Sequence, residues 1–186
     1  INLDTGSTLT ADQLLWAGSQ ELLAEIFNVE SNLKELVHKV PMVLYYFTVK
    51  ETEVSDYHYV QNFCSDDLIF RVSIPTNYGK NNAPIGMAYL CCEIPTQKES
   101  EIWKSPKEFT AKVWEELKKY GIVSYSGSYD QVLAINVPVT YKIPIKGYYD
   151  ELNRVISQIP CEKITGMKDW EFSKNDILTK LLHQLS

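Results

Sequence analysis

Apolar residues recur along this chain with two different spacings, and the switch between them marks out its elements. Tyr57, Tyr59, Gln61 and Phe63 alternate with His58, Val60 and Asn62, an alternation that predicts a half-buried strand. Met42–Lys50, MVLYYFTVK, is β-branched and aromatic and predicts a strand beginning after Pro41. Leu68–Pro75 and Pro84–Pro95 are two further strand-like runs. They flank a polar loop, Thr76–Ala83, whose Asn77, Gly79, Asn81 and Asn82 suit turn geometry. The pattern is that of a hairpin with a long tip, at the centre of a sheet. Gln131–Ile145 is extended and apolar, and Pro138 and Pro144 assign it to an edge or to breaks where the strand leaves the sheet. Residues 1–17 read as a hairpin turning at Asp4–Ser7 with Leu14–Ala17 as a short strand, and Glu162–Thr165 as another short strand.

Helical spacing appears between these runs. Ser19 caps a helix over Gln20–Phe27 that would gather Leu22, Leu23, Ile26 and Phe27. A helical turn follows near Asn32–His38. Ser105-Pro106-Lys107-Glu108 forms a capping box, opening a helix to Tyr120 with a Phe109, Val113, Leu117 and Tyr120 stripe and Gly121 as its C-cap. Gly147–Ile159 is a helix with Tyr149, Leu152, Val155, Ile156 and Ile159 facing inward, stopped by Pro160. Ser173-x-x-Asp176 caps a last helix carrying Ile177, Leu178, Leu181, Leu182 and Leu185. Successive strands with short connections suggest an antiparallel meander. The fold class is therefore α+β, a mainly antiparallel sheet of about six strands with helices packed on one face.

Composition narrows the function. A chain of 186 residues is one domain, or one domain with a fragment of another. It has no initiator methionine and opens as though within a strand, which suggests a piece of something longer. An apolar content of 45% can supply a core. A net charge of −6 without a basic patch argues against nucleic acid. No long apolar run predicts a membrane span, and no signal peptide is evident. Cys64, Cys91, Cys92 and Cys161 lack zinc or CxxC spacing. They fit buried reduced thiols in a cytoplasmic protein, with metal or disulfide roles as the other readings. His38, His58 and His183 are too scattered in sequence to suggest a metal pair.

No catalytic constellation emerges from spacing, so no catalytic residue is assigned. Polar groups in apolar settings are Arg71, Glu93, Asp130 and Asn136, with Tyr59 and Tyr141 as ring-and-hydroxyl groups. Arg71 has two readings. It is an ion pair across the sheet with Glu93, or an anion-binding guanidinium in a pocket. Asp66-Asp67 is most simply a turn.

The segment from Ile164 to Ile177, ITGMKDWEFSKNDI, resembles the closing flavin-contact segment of the FAD-dependent amine-oxidase superfamily. The likeness is greatest to the branch of protoporphyrinogen-oxidase-like proteins and UDP-galactopyranose mutases. Gly6–Ala17, with Ala11-Asp12, is similar to an early glycine turn and strand of that family. Phe70-Arg71-Val72-Ser73, the Gly86-to-Glu93 strand and the Val137–Pro144 strand resemble others, in the same order. The resemblance implies the substrate-binding domain over residues 31–160, flanked by remnants of the flavin-binding domain at 1–30 and 161–186. It implies Tyr59, Arg71 and Tyr141 as substrate contacts, and Gly166, Trp170, Asn175 and Asp176 on the flavin side. Met167 stands where the family has a turn arginine, and Asp169 where it has a second glycine. The dinucleotide-binding half with its glycine fingerprint is missing from this sequence. The implied partners are that N-terminal half and a small-molecule substrate. The chain alone is expected neither to hold FAD nor to be active. Two other readings stand beside this one: a sugar-nucleotide mutase-like domain, and a non-catalytic binding or interaction module.

Overall fold

The computed structural model describes residues 5–79, 82–160 and 164–165. The chain divides into two compact units, one of residues 39–143 and one formed by residues 1–38 with 144–186.

The 39–143 unit is a five-stranded sheet with helices. Its strands are β2 (Val37–Lys50), β3 (Tyr59–Gln61), β4 (Arg71–Ser73), β5 (Met87–Pro95) and β6 (Tyr129–Pro144), in spatial order β3-β4-β5-β2-β6. The pairs β3–β4, β4–β5 and β5–β2 are antiparallel. The expected hairpin is present, and β5 is the central strand. The meander is corrected at one point. β2 does not lie beside β3, which follows it in sequence, but between β5 and β6. Its nine residues from Met42 to Lys50 pair with β5, a longer ladder than three-residue β3 could offer. Pro41 is accommodated because the ladder with β5 begins one residue later, at Met42. The prolines of β6 stand on an edge strand, as their chemistry requires. The loop tip also holds a short helix, α2 (Pro75–Tyr78).

Alternation along β2 and β5 divides the two faces of the sheet. Val43, Tyr45, Phe47 and Val49 of β2, and Ala88, Leu90, Cys92 and Ile94 of β5, are buried. Helices α3 (Glu101–Lys104) and α4 (Thr110–Lys119) add Ile102, Val113, Trp114 and Leu117 to this core. Phe47 lies 5.2 Å from both the Trp114 and Tyr129 rings, centroid to centroid, within the range of favourable aromatic pairs. The Tyr45 hydroxyl donates to the Pro106 carbonyl at 2.5 Å, fixing the approach to α4. Burial pushes that phenol up to about 12.

The capping box at Ser105 does not form. Its side chain makes no capping bond, and Pro106–Phe109 is wound as a tighter 3₁₀ turn before α4. Ser100 instead caps α3 by accepting from the Trp103 amide. The far end follows expectation. Gly121 has φ +62°, its amide bonds the Lys118 carbonyl, and the Ile122 amide bonds that of Leu117. This double closure satisfies helix-end carbonyls and needs a left-handed residue.

The second unit draws on both ends of the chain. β1 (Leu14–Leu15) pairs in parallel with β7 (Ile164–Thr165), so the expected N-terminal hairpin is replaced by a partner far away in sequence. α1 (Gln20–Ile26) is capped by Ser19. It buries Gln20, Leu23 and Ala24 and leaves Leu22 and Ile26 exposed. The inward stripe is thus one step round from the apolar residues picked out by hydrophobicity. The segment near Asn32–His38 is a turn that passes into β2 at Val37. α5 (Tyr148–Ser157) buries Tyr148, Leu152, Val155 and Ile156, while Tyr149 is exposed. Leu23, Ala24, Leu33 and Val37 share one core with these residues and Ile159. Polar bonds join the two stretches as well. Glu151 accepts from the Asn32 amide at 3.0 Å and pairs with Arg154, which also donates to the Glu30 carbonyl at 2.7 Å. The terminal helix expected from Ser173 lies outside the described residues.

Candidate functional site

The register of β4 against β5 builds the most distinctive polar pair of the sheet. Val72 faces Cys92 across the ladder, and both are buried in the core. Arg71 faces Glu93 and Ser73 faces Cys91, so these side chains take the opposite face. Extending the register through β3 and β2 gives two rows across that face. One runs Gln61, Arg71, Glu93 and Leu44; the next runs Tyr59, Ser73, Cys91 and Tyr46.

Arg71 donates to Glu93 through both Nε, at 2.9 Å, and Nη2, at 2.5 Å. Both bonds fall on one carboxylate oxygen, Oε1. The other, Oε2, is buried and has no hydrogen-bond partner among the described residues. Glu93 is 8% exposed, whereas the Arg71 side chain is 36% exposed. The guanidinium is held above its ordinary range first by the bond to Glu93, with smaller contributions from Tyr141 and Cys91. The ion-pair reading of Arg71 is therefore the observed one.

Tyr46, opposite Cys91, has its phenol pushed up by burial and by the neighbouring thiol. Burial likewise pushes up the Cys91 thiol, while a hydrogen bond with Tyr46 pulls it down. Adjacent Cys91 and Cys92 take opposite faces, half-buried and fully buried respectively, and Cys64 is exposed rather than buried. Tyr59 is exposed in the row beside Arg71. Tyr141, half-buried on β6, lies within electrostatic reach of Arg71. Asp130 is exposed, and Asn136 donates to the Trp103 carbonyl at 2.8 Å as a packing contact. Gly166, Trp170, Asn175 and Asp176 lie outside the described residues, so no geometry bears on a flavin site there. Among the described residues no cluster of histidine, cysteine and carboxylate side chains is placed to hold a metal. No helix among them is long and apolar enough to cross a membrane.

Two associations went unforeseen in the sequence. The Tyr46–Cys91 contact needs the β2–β5 register, which no local pattern supplies. Asp67 is more than a turn residue. Its carboxylate accepts from Lys119 at 2.8 and 3.0 Å and from the Tyr120 hydroxyl, which in turn accepts from Asn62 Nδ2 at 2.8 Å. These bonds tie the turn before β4 to the end of α4. Two surface grooves, one beside Glu101, Ser105 and Phe109 and one beside Lys107, Tyr129 and Leu133, include none of Tyr59, Arg71 or Tyr141.

No family model matches the chain, and no curated protein matches it. Solved structures do. The chain overlays reduced UDP-galactopyranose mutase with a TM-score of 0.63 at 13% identity, covering 88% of this chain and 36% of the mutase. It overlays a protein from Exiguobacterium sp. 255-15, described as a protoporphyrinogen oxidase, with a TM-score of 0.55 at 12% identity, covering 94% of this chain and 41% of that one. At such identities the likeness is one of fold. It falls on the same two branches to which the sequence motifs pointed, and the chain spans well under half the length of either protein.

Proposed function

We propose that this chain is the substrate-binding part of a FAD-dependent oxidoreductase of the amine-oxidase superfamily. Residues 31–160 bind substrate, and residues 1–30 and 161–186 belong to the flavin-binding domain. The observation that carries this reading is the asymmetry of the overlays. Nearly all of this chain is matched, against only 36% and 41% of the two solved proteins. The rest of such a protein would be a dinucleotide-binding half lying outside this sequence, because no glycine-rich strand–turn–helix is present here.

In that setting FAD supplies the redox centre when bound. The chain's own residues do the holding. The sheet face bearing Tyr59, Arg71, Glu93 and Tyr46 forms a wall of the substrate site, with Tyr141 nearby. Its phenols offer ring surface and hydroxyl groups together. A sugar-nucleotide mutase-like role is the second reading, and the higher TM-score of 0.63 favours it. It asks for an anion site, and Arg71 is already engaged by Glu93.

Colour tests the proposal. The full-length gene product should purify yellow and be bleached by dithionite, while residues 1–186 alone should take up no flavin in a titration. A colourless full-length protein that ignores added FAD overturns the reading.

A further inference from the structure

We infer that the Arg71–Glu93 couple recognises a neutral hydrogen-bonding edge, an acceptor beside a donor as in a carboxamide, rather than an anion or a cation. The inference rests on the proposed role of this sheet face as a substrate wall, and it specifies what that wall takes.

Charge cancellation is the first reason. A guanidinium within 2.5–2.9 Å of a carboxylate leaves a dipole rather than a free charge. A phosphate or carboxylate arriving at Arg71 meets Glu93 as well, and an ammonium arriving at Glu93 meets Arg71. Neither gains what an unpaired site would give.

The second reason is the bonding capacity left over. Both bonds of the pair use Glu93 Oε1. The carboxylate, more than nine-tenths buried, keeps Oε2 without a partner among the described residues. On Arg71, Nη1 still has N–H groups to donate. One charged couple therefore offers an acceptor and a donor together, and buried acceptors strongly favour being bonded. A carboxamide satisfies both at once: its carbonyl accepts from Arg71 and its N–H₂ donates to Glu93. The surroundings suit a planar neutral group. Leu44 lies opposite Glu93 in the same row, and Tyr59 and Tyr46 occupy the row beside it.

Three probes sharing one ring separate the possibilities: benzamide, benzoate and benzylammonium. Each is titrated into the 186-residue chain, free of flavin, and followed by backbone amide shifts. Benzamide is expected to bind at least tenfold more tightly than either ion, with shifts centred on Leu44, Tyr46, Arg71 and Glu93. Glu93→Gln unmasks the guanidinium, so in that variant benzoate should overtake benzamide. The wild-type ranking decides the matter even if the variant does not fold. Binding of benzoate or benzylammonium as tight as that of benzamide overturns the inference. So does the absence of binding by all three, or shifts that map elsewhere. Flavin uptake by the full-length product is read separately by colour, so failure of the ranking in a yellow protein removes this inference alone. A correct ranking beside a colourless full-length protein keeps the site and removes the flavoprotein reading.

Discussion

Arg71 and Glu93 stand out in the sequence because each is a lone charge within an apolar strand, and a buried charge needs a partner. Asp67 gives no such signal. It sits in a polar turn, and the partners that define it, Lys119 and Tyr120, are 52 and 53 residues away. Its carboxyl is held down to about 2 from an ordinary 3.8, first by the hydrogen bond from Lys119 and then by that from Tyr120. A pKa depressed on folding stabilises above the unfolded value and loses that contribution as pH falls through the folded one. The melting temperature should therefore fall as pH drops from about 4 to about 2. Asp67→Asn should lower it at neutral pH and flatten the acid limb. Some slope should persist, because Glu151, held down to about 2 by Arg154 and the Asn32 amide, titrates in the same window. Melts of both proteins across that range measure the difference; identical acid limbs would show that the Asp67 bonds contribute nothing. The Tyr46–Cys91 contact was equally hidden, for a different reason: which residue stands opposite which is set by the whole ladder.

Elements were more legible than their limits. Five of the strands announce themselves by alternation, β-branching or bounding prolines, because a sheet with one buried face imposes a period on its sequence. Helix ends were harder. The Ser105 motif fits a capping box, but Ser105 has φ −134° and ψ 61° and starts a 3₁₀ turn, while Ser100 performs the capping one short helix earlier. In α5 the inward residue is Tyr148 rather than Tyr149, since 148, 152, 155 and 159 make the helical stripe. Gly121 was readable, because a glycine after a basic last turn is a strong stop. At its φ of +62° a Cβ is strained although nothing lies within 4 Å of where it would sit. Gly121→Ala should thus cost about 1 kcal/mol through backbone conformation alone, with Gly121→Asn costing less. Urea denaturation of the two variants checks the order; equal stabilities would mean that the left-handed cap is not held in solution.

At the scale of the molecule, sequence showed the layers but not their wiring. Nothing local places β2 between β5 and β6, or joins Leu14 to Ile164. That last pairing has a consequence in time. During synthesis the residues from 39 to 143 emerge as a continuous stretch, and their core draws on no others. Leu23, Ala24, Leu33 and Val37 must wait for Tyr148, Leu152 and Val155 before their own core can close, and that long loop carries an entropic penalty until it does. Folding on the ribosome should therefore run from the middle outward. Residues 39–143 expressed alone should give dispersed amide resonances and resist protease, whereas ribosome-bound chains halted shortly after residue 143 should remain cleavable before residue 38. Protection of that first stretch before Tyr148 has emerged would reverse the order. Until the last third of the chain is made, the first stretch remains a nascent tail with its apolar side chains uncovered, the stage at which chaperone capture or aggregation competes with folding.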